Sequence, residues 1–378
     1  MKTIKKKKYY KFNINTTSRK IHKTKSYSPT INNNLDIKEL KTLKNENINL
    51  CNNLLQINIG TINKPKCLNY NNMLVKKFLL KNLMSSKHLD PDKFISPKQL
   101  YANCWFNTMF VTFFFSDKGR KFFRFFRNLM ITGVKVDNNK IEDQKIRKLL
   151  FIFNLYIEAS YNQDSSKFIK NKVNLHTQVK SLTFNLDTNF LIKNIYNRIK
   201  KLSPHYSLPN INEAGNPIDF YKVIMRYLKY DTLKIKRINI HKNLKKNNTI
   251  KNILKSYFIK EYDIIILEDH ESKFDFKMEY DLELNTKKYK YNLDSIILTN
   301  KDHYIADANS HFVSVLTINK EYYKFDGSSY SKLSKFNWTK ILNKNVDFTF
   351  SENPNYYPEK YNFKYGYKIL FYYKSKII

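Results

Sequence analysis

The chain contains 378 residues, of which 42% are hydrophobic and 15% are aromatic. This apolar content is enough for a sizeable core and excludes a wholly disordered chain. Lysine and arginine number 68 against 32 acidic residues, which gives a formal net charge of +36 and attracts acidic partners, nucleic acid among them. The cations are mostly lysine and come with abundant Asn, Ile, Tyr and Phe, a composition that AT-rich genomes such as those of large DNA viruses, parasites and protists also produce. The excess of positive charge has two explanations: diffuse background charge from codon usage, or a dedicated binding face.

The three cysteines, Cys51, Cys67 and Cys104, form no CxxC pair, which excludes a four-cysteine zinc site. An odd and sparse set offers no disulfide framework and predicts a reducing compartment. No apolar run approaches the roughly 20 residues that span a bilayer, and no apolar stretch follows the basic N-terminus to make a secretory signal. The sequence therefore predicts an intracellular, cytoplasmic protein, with a nuclear or virion-associated location as the alternatives.

Residues 1–92 differ in amino-acid composition from the rest of the chain. They are dense in Lys, Asn, Ser and Thr, and their apolar residues are scattered. This pattern predicts a basic, mostly disordered arm with one amphipathic helix near residues 73–84, and it suggests nonspecific contact with nucleic acid. Pro91 and Pro97 punctuate the chain at the end of this segment, so the predicted boundary lies between residues 92 and 93.

From residue 93 onward the patterns predict ordered elements. The apolar run of residues 104–115 is long for a strand and lacks turn residues at its ends, which favours a buried helix. Helical spacing continues within residues 138–200, and Asn216-Pro217 begins another amphipathic helix. After about residue 255, β-branched and aromatic runs between polar turns predict strands at 264–268, 289–299, 311–318, 321–326 and 367–373. Helices first and strands afterwards indicate an α+β domain with segregated layers.

Cys104 lies at the predicted start of the buried helix, where the positive end of the helix dipole favours the thiolate form. A lone buried cysteine is usually structural, so this residue alone decides nothing. Gln99, five residues upstream, adds a side-chain amide that can turn back beside the thiolate and donate to an oxyanion. The two residues together indicate a nucleophile with an oxyanion donor.

A thiolate nucleophile needs a general base and a group that orients the base. His311 follows a polar turn and opens the predicted strand HFVSVLTI. A hairpin then leads into EYYKFD, which ends at Asp326. Antiparallel pairing of these strands brings Asp326 alongside His311. The sequence therefore predicts Cys104 as nucleophile, His311 as base and Asp326 as the orienting acid.

These segments resemble the two signature boxes of the ubiquitin-specific protease family. The family's cysteine box reads roughly Asn, four residues, then Cys-Tyr-x-Asn-Ser before a long apolar helix, and QLYANCWFNTMFVTFFF at residues 99–115 is similar. Its histidine box reads Gly-His-Tyr-x-x-Tyr, a hairpin and Tyr-x-Phe-Asp-Asp, and SHFVSVLTINKEYYKFDGS is similar. NPIDFYKVIMRYL and GYKILFYYK resemble a further family helix and its closing strand. The resemblance spans about residues 95–375, and its order of Cys, His and Asp is that of papain-like proteases rather than of adenovirus or Ulp-type proteases.

The resemblance implies a papain-like cysteine protease fold over residues 93–378, with a helical N-terminal lobe, an antiparallel β C-terminal lobe and no cofactor. It implies that Cys104 attacks the carbonyl after the C-terminal glycine of ubiquitin or a ubiquitin-like modifier. His311 would carry the proton to the leaving amine, and Asp326 would orient the imidazole. Gln99 and the backbone N–H of Cys104 would form the oxyanion hole. The implied partners are ubiquitin or ubiquitin-like protein conjugates.

Four departures from the family pattern leave the substrate open. Ser310 replaces the glycine before the histidine, Gly327 replaces the second acid, Gln99 replaces the usual Asn, and the zinc-binding fingers are missing because no CxxC exists. The target is ubiquitin, a ubiquitin-like modifier or a Gly-Gly site in a polyprotein. The alternatives are a catalytically inactive homologue, a basic nucleic-acid-associated binding protein, and acyl transfer to an amine by the same residues.

Overall fold

The computed structural model describes residues 51, 53–61, 63–84, 89–97, 99, 103–161, 178–179, 188–204, 216–228, 234–240, 261–270, 279–286, 289–302, 310–329, 333–350 and 359–376. The helices within these ranges are α1 (Met73–Met84), α2 (Cys104–Phe114), α3 (Asp117–Phe122), α4 (Arg124–Thr132), α5 (Gln144–Tyr161), α6 (Thr188–Leu202) and α7 (Pro217–Tyr227). No helix in the described part of the chain is both long and apolar enough to cross a bilayer.

The strands form a small hairpin and one large sheet. The hairpin pairs β1 (Gln56–Asn58) with β2 (Cys67–Asn69). The large sheet runs in the order β3-β4-β10-β6-β7-β8-β9, with β5 on the flank of β6, and only its β3–β4 pair is parallel. Its strands are β3 (Ile235–Asn239), β4 (Ile264–Asp269), β5 (Glu283–Asn285), β6 (Tyr289–Leu298), β7 (Val313–Ile318), β8 (Glu321–Phe325), β9 (Ser334–Lys335) and β10 (Lys368–Lys376). Helices precede the sheet along the chain, so the α+β class is confirmed.

Helix α2 is buried along its whole length. Its sequence, CWFNTMFVTFF, is apolar on nearly every side, as expected of a helix with neighbours all round. Phe106 stacks on Tyr221 of α7 at 5.1 Å between ring centroids, and Phe113 meets Phe371 of β10 edge-on at 5.8 Å. The helix predicted at residues 104–115 is therefore confirmed, and it lies between the other helices and the sheet.

The central strands β4, β6, β7 and β10 have mostly buried side chains, and because side chains alternate along a strand, both faces of the sheet are covered there. Leu267, Ile296 and Leu370 belong to an apolar cluster on one face, together with Trp338 and Phe348 from the segment after β9. The opposite face, with Phe371, receives α2. Two-sided burial explains why these strands read as nearly continuous apolar runs in the sequence. The strands predicted after residue 255 are all present, with ends shifted by a few residues.

The prediction for residues 51–92 was wrong in part. Instead of disordered arm, this segment contains the β1–β2 hairpin and α1, which packs on α4. Asn58 anchors the hairpin, because its backbone N–H and C=O bond the side chain of Gln178 at 2.8 and 2.9 Å. Only α1 was predicted there, and residues 1–50 lie outside the described residues.

The expected lack of disulfides was also wrong. Cys51 and Cys67 are joined, with their Cα atoms 5.7 Å apart, and the bond closes the β1–β2 hairpin. Cys104 is the free cysteine. With this disulfide present, the sparse cysteines no longer indicate a reducing compartment, and the intracellular location stays a prediction.

The β7–β8 hairpin is held to the helices by one carboxylate. Both turn residues, Asn319 and Lys320, have positive φ angles of 52° and 66°, as two-residue hairpin turns require. The carboxylate of Asp117, the first residue of α3, accepts both of their backbone N–H groups at 2.9 and 2.8 Å. This contact fixes the far end of the hairpin that carries His311 and Asp326.

We predict that Asp117→Ala destabilises the fold by about 1–3 kcal/mol, because the turn loses two charge-assisted hydrogen bonds. Urea unfolding followed by circular dichroism measures the effect. Glu142→Ala, which removes an exposed acid, is the matched control, with an expected change within about 0.5 kcal/mol. Equal stability of the two variants would contradict the role given to Asp117.

Candidate active site

Cys104 is the first residue of α2, so its position is set by a helix that is buried along its whole length. Its side chain lies at the helix N-terminus and is 4% exposed. The sulfur lies 3.8 Å from the backbone oxygen of Ser310, 206 residues further along the chain. The fold therefore brings the cysteine of the first box to the residue just before the histidine of the second.

His311 and Asp326 form an ion pair across the open end of the β7–β8 hairpin. The hairpin register pairs Ser314 with Phe325, which puts His311 before β7 and Asp326 after β8 at one edge of the sheet. His311 Nε2 lies 2.9 Å from Asp326 Oδ1, and both side chains are largely buried. Because Nε2 is engaged by Asp326, Nδ1 is the ring nitrogen left for Cys104.

The electrostatics of this pair favour a protonated imidazole. Burial alone would lower the pKa of His311, but its hydrogen bonds to Asp326 and Cys104 outweigh burial and raise that pKa well above its ordinary value. Burial would raise the pKa of Asp326, yet hydrogen bonds from His311 and Ser328 hold it below its usual range. A base that holds a proton beside a thiol sulfur is suited to support a thiolate nucleophile.

Gln99 lies beside the same hairpin end. A methyl group added to Gly327 would sit 3.4 Å from Gln99 Oε1 and 3.8 Å from Asn107 Nδ2, which places all three residues together next to Asp326. Gln99 Oε1 is buried and has no hydrogen-bond partner among the described residues. The structure thus brings all four predicted site residues into one region. The oxyanion role of Gln99 stays a prediction.

Ser328 is a site residue that the sequence analysis missed. Its backbone N–H and its hydroxyl both donate to Asp326 Oδ1 at 2.8 Å, the same oxygen that binds His311. The signal was present, because Asp-Gly-Ser is typical of a turn in which the aspartate side chain bonds the backbone two residues on. Ser328 therefore fixes the direction in which Asp326 faces the imidazole.

Thr188 was missed as well, and nothing in the sequence points to it. Its hydroxyl donates to Asn107 Oδ1 at 2.6 Å and accepts from Asn103 Nδ2 at 2.9 Å, and all three residues are buried. Asn103 and Asn107 flank Cys104 in the first turn of α2. Thr188 is the first residue of α6, so it links that helix to the turn that carries the sulfur.

A second polar cluster lies at the same edge of the sheet. Glu268 of β4 is buried and binds Arg237 of β3, Tyr367 at 2.5 Å and Asn216, the N-cap of α7, at 2.6 Å. Burial would raise the pKa of Glu268, but hydrogen bonds from His270, Arg237 and Tyr367 lower it far below its usual range. The cluster fixes the ends of two strands and a helix near the site.

Comparison with known proteins gives weak likeness only. No family model matches the chain, and no curated protein matches it. Among solved structures, the SAGA Ubp8/Sgf11/Sus1/Sgf73 DUB module matches with 12% identity and a TM-score of 0.38 over 82% of this chain and 76% of that chain. The same module bound to ubiquitin aldehyde matches with 12% identity and a TM-score of 0.37 over 82% of this chain and 77% of that chain. An essential yeast splicing factor matches with 11% identity and a TM-score of 0.36 over 79% of this chain and 75% of that chain. Likeness at this level assigns no activity.

We predict that Asp326→Asn lowers the pKa of His311, because the variant keeps the shape of the side chain and removes its charge. Each unit of that fall corresponds to about 1.4 kcal/mol. A raised folded-state pKa of His311 contributes stability that is full below about pH 6.5 and is lost as the pH rises through the folded value. The variant should therefore be less stable than the wild type near pH 6, and the gap should close at higher pH.

NMR titration of the His311 ring protons measures the pKa, and urea unfolding between about pH 5 and pH 9 measures the gap. Asp92→Asn, at an exposed acid, is the control. A stability gap that widens with rising pH would contradict the ion pair.

We also predict that Thr188→Val destabilises the fold by about 1–3 kcal/mol, because Asn103 and Asn107 lose a buried partner while the side-chain volume is kept. It should also slow alkylation of Cys104 under conditions where the variant is fully folded. Mass spectrometry follows the alkylation, and Thr188→Ser should restore both properties because it restores the hydroxyl. Wild-type stability in Thr188→Val would show that the hydroxyl contributes nothing.

Proposed function

We propose that this chain is a thiol-dependent hydrolase of the deubiquitinase type. The observation that carries the proposal is the 2.9 Å contact between His311 Nε2 and Asp326 Oδ1, with Cys104 in hydrogen-bonding contact with the same imidazole. Nucleophile, base and orienting acid are the three parts that acyl transfer from a peptide or isopeptide requires. The boxes around these residues resemble those of ubiquitin-specific proteases, which supports ubiquitin or a ubiquitin-like modifier as the substrate.

The proposed reaction has two halves. The Cys104 sulfur attacks the carbonyl carbon after the modifier's C-terminal glycine, and the thiol proton resides on His311. The tetrahedral oxyanion accepts hydrogen bonds from the Cys104 backbone N–H and the Gln99 amide. The C–N bond then breaks, and His311 gives its proton to the leaving lysine amine. In the second half, water attacks the thioester while His311 takes its proton, which releases the carboxylate and the thiol.

The arrangement of hydrogen bonds around Asp326 supports an active enzyme over an inactive homologue. Asp326 accepts from His311 and twice from Ser328 at one oxygen, so a buried carboxylate is held in one orientation toward the ring. An inactive scaffold gains nothing from a buried, desolvated Cys-His-Asp set, because such groups cost free energy to bury. Transfer to an amine instead of water would use the same residues.

We predict that a ubiquitin probe with a C-terminal electrophile forms a covalent adduct with the wild type and none with Cys104→Ala. His311→Ala should slow the reaction by at least about 100-fold, because the thiol loses its base. The adduct is measured by its mass and by its shift on a denaturing gel.

Thr112→Val is the matched control, since Thr112 is buried on the same helix and its hydroxyl has no partner among the described residues. It should react like the wild type. The deubiquitinase proposal fails if neither ubiquitin nor any common ubiquitin-like probe reacts with folded wild-type protein. If a small electrophile alkylates Cys104 but no probe forms an adduct, the thiol is reactive and the substrate of the proposed hydrolase is not one of these modifiers.

A further inference from the structure

Charge is distributed unevenly between the helices and the sheet. Helices α1, α4 and α6 contain no acidic residue in the sequences MLVKKFLLKNLM, RFFRNLMIT and TNFLIKNIYNRIKKL. Helix α5 contains one, Glu158, which is buried and bound to Arg127. The lysines on the outer surfaces of these helices therefore have almost no acid on the same helices to balance them.

The lysines of the sheet and its flanking segments have a different environment. Five of them form ion pairs with acids of the same region. These pairs are Lys290–Glu283, Lys301–Asp347, Lys335–Glu321, Lys368–Asp269 and Lys374 with both Glu261 and Asp263. Among the described residues, the unbalanced positive charge is thus greater on these helices than on the sheet, which diffuse background charge does not explain.

The residue that precedes α1 contacts the start of α5, and this contact brings several cations near one another. Tyr70, just before α1, donates to the side chain of Gln144 at 3.4 Å, and its ring lies 5.1 Å from the Arg147 guanidinium. Partial burial lowers the pKa of Lys76, and the nearby positive charges of Arg147 and Lys140 lower it further. The ammonium of Lys76 on α1 therefore lies close enough to Arg147 and Lys140 to feel their positive charges.

The C-terminal end of α6 completes the group. Arg198 binds Asp143, the residue before α5, with its Nε 2.9 Å from Oδ2. Lys201 follows Arg198 by one helical turn and is exposed. Asp143 is neutralised by Arg198 and also accepts the Ile146 backbone N–H at 2.9 Å. We call the five lysines around this end of α5 the α5 lysine cluster: Lys76, Lys140, Lys145, Lys148 and Lys201.

Acids do not cancel this cluster. Besides the paired Asp143, two exposed carboxylates, Asp137 and Glu142, lie in the adjoining segment, against the five lysines of the cluster. No lysine of the α5 lysine cluster has an ion pair among the described residues, and the N-terminus of the long helix α5 adds its positive dipole end. Lys140, Lys145 and Lys201 are exposed, so the surface is open to a partner.

We propose that the α5 lysine cluster binds the phosphate backbone of nucleic acid. Clustered lysines act as compact point charges, which match regularly spaced phosphates and release counterions on binding. The large exposed apolar side chains on α1 and α6 are Met73, Leu74, Met84 and Leu202, none of them aromatic. Because the described residues of α1 and α6 offer no exposed ring for base stacking, we expect binding that is independent of sequence and strongly dependent on salt.

The test compares two triple variants of the full chain. Lys140→Glu, Lys145→Glu and Lys201→Glu together reverse three exposed charges of the α5 lysine cluster. Lys340→Glu, Lys344→Glu and Lys360→Glu make the same change in net charge at exposed sites after β9. Binding to two fluorescent DNA duplexes of unrelated sequence is measured by anisotropy over a range of salt concentrations.

The cluster variant should weaken binding to both duplexes equally. It should also lower the slope of log affinity against log salt by about three, roughly one per lysine. The control variant should lower the slope by less than about one. Equal losses in both variants, or no DNA binding by the wild type, would overturn the proposal, as would tighter binding of polyglutamate than of DNA. The ubiquitin-probe reaction should be unchanged in the cluster variant, so this proposal and the proposed function fail independently.

Discussion

The burial of α2 on every side constrains the rest of the structure. A helix that is apolar all round needs partners all round, and here α7 and the sheet both supply aromatic rings to it. This burial also encloses polar groups. The first turn places the side-chain amides of Asn103 and Asn107 in a dry environment, where an amide without a hydrogen bond costs free energy. Thr188 bonds both amides, so it ties the turn that carries Cys104 to α6.

The other half of the site depends on the edge of the sheet where β7 begins. Two adjacent residues of β4 stabilise that edge from opposite faces: Glu268 binds Arg237, and Asp269 lies 3.5 Å from the buried amine of Lys368. Lys368 also donates to the backbone oxygen of Gly366 at 2.8 Å, which fixes the turn before β10. Removing one partner of such a buried pair typically costs about 3–5 kcal/mol. These pairs specify where the strands end, and the strand ends position His311.

The sequence was informative wherever a pattern is local. A long apolar run identified α2, and alternating turns and β-branched runs identified the main strands with small errors at their ends. The hairpin between His311 and Asp326 also follows from local spacing, since a two-residue turn fixes its register. The β1–β2 hairpin was missed because its strands are three residues long and lie in a lysine- and asparagine-rich segment. A strand of that length has no periodicity to detect.

Contacts between distant parts of the chain could not be predicted in the same way. Thr188 lies 85 residues from Asn103, and Asp117 lies 202 residues from Asn319. Each is a common polar residue in an ordinary setting, and its role exists only after the helices and the sheet have packed. Ser328 is the intermediate case. Its hydrogen bond to Asp326 is local in sequence, but its effect on His311 depends on the pairing of two strands.

Helix α6 relates the two proposed activities to each other. Its first residue, Thr188, contacts the turn that carries Cys104, and Arg198 contacts the start of α5, where the α5 lysine cluster lies. Ten residues at 1.5 Å each separate these contacts by about 15 Å along the helix axis. A phosphate backbone on the lysines would thus engage the protein beside the catalytic edge without using any residue of it. We therefore expect the charge reversal of the cluster to leave the Cys104 turn intact, so that the proposed binding and the proposed catalysis are separable by mutation.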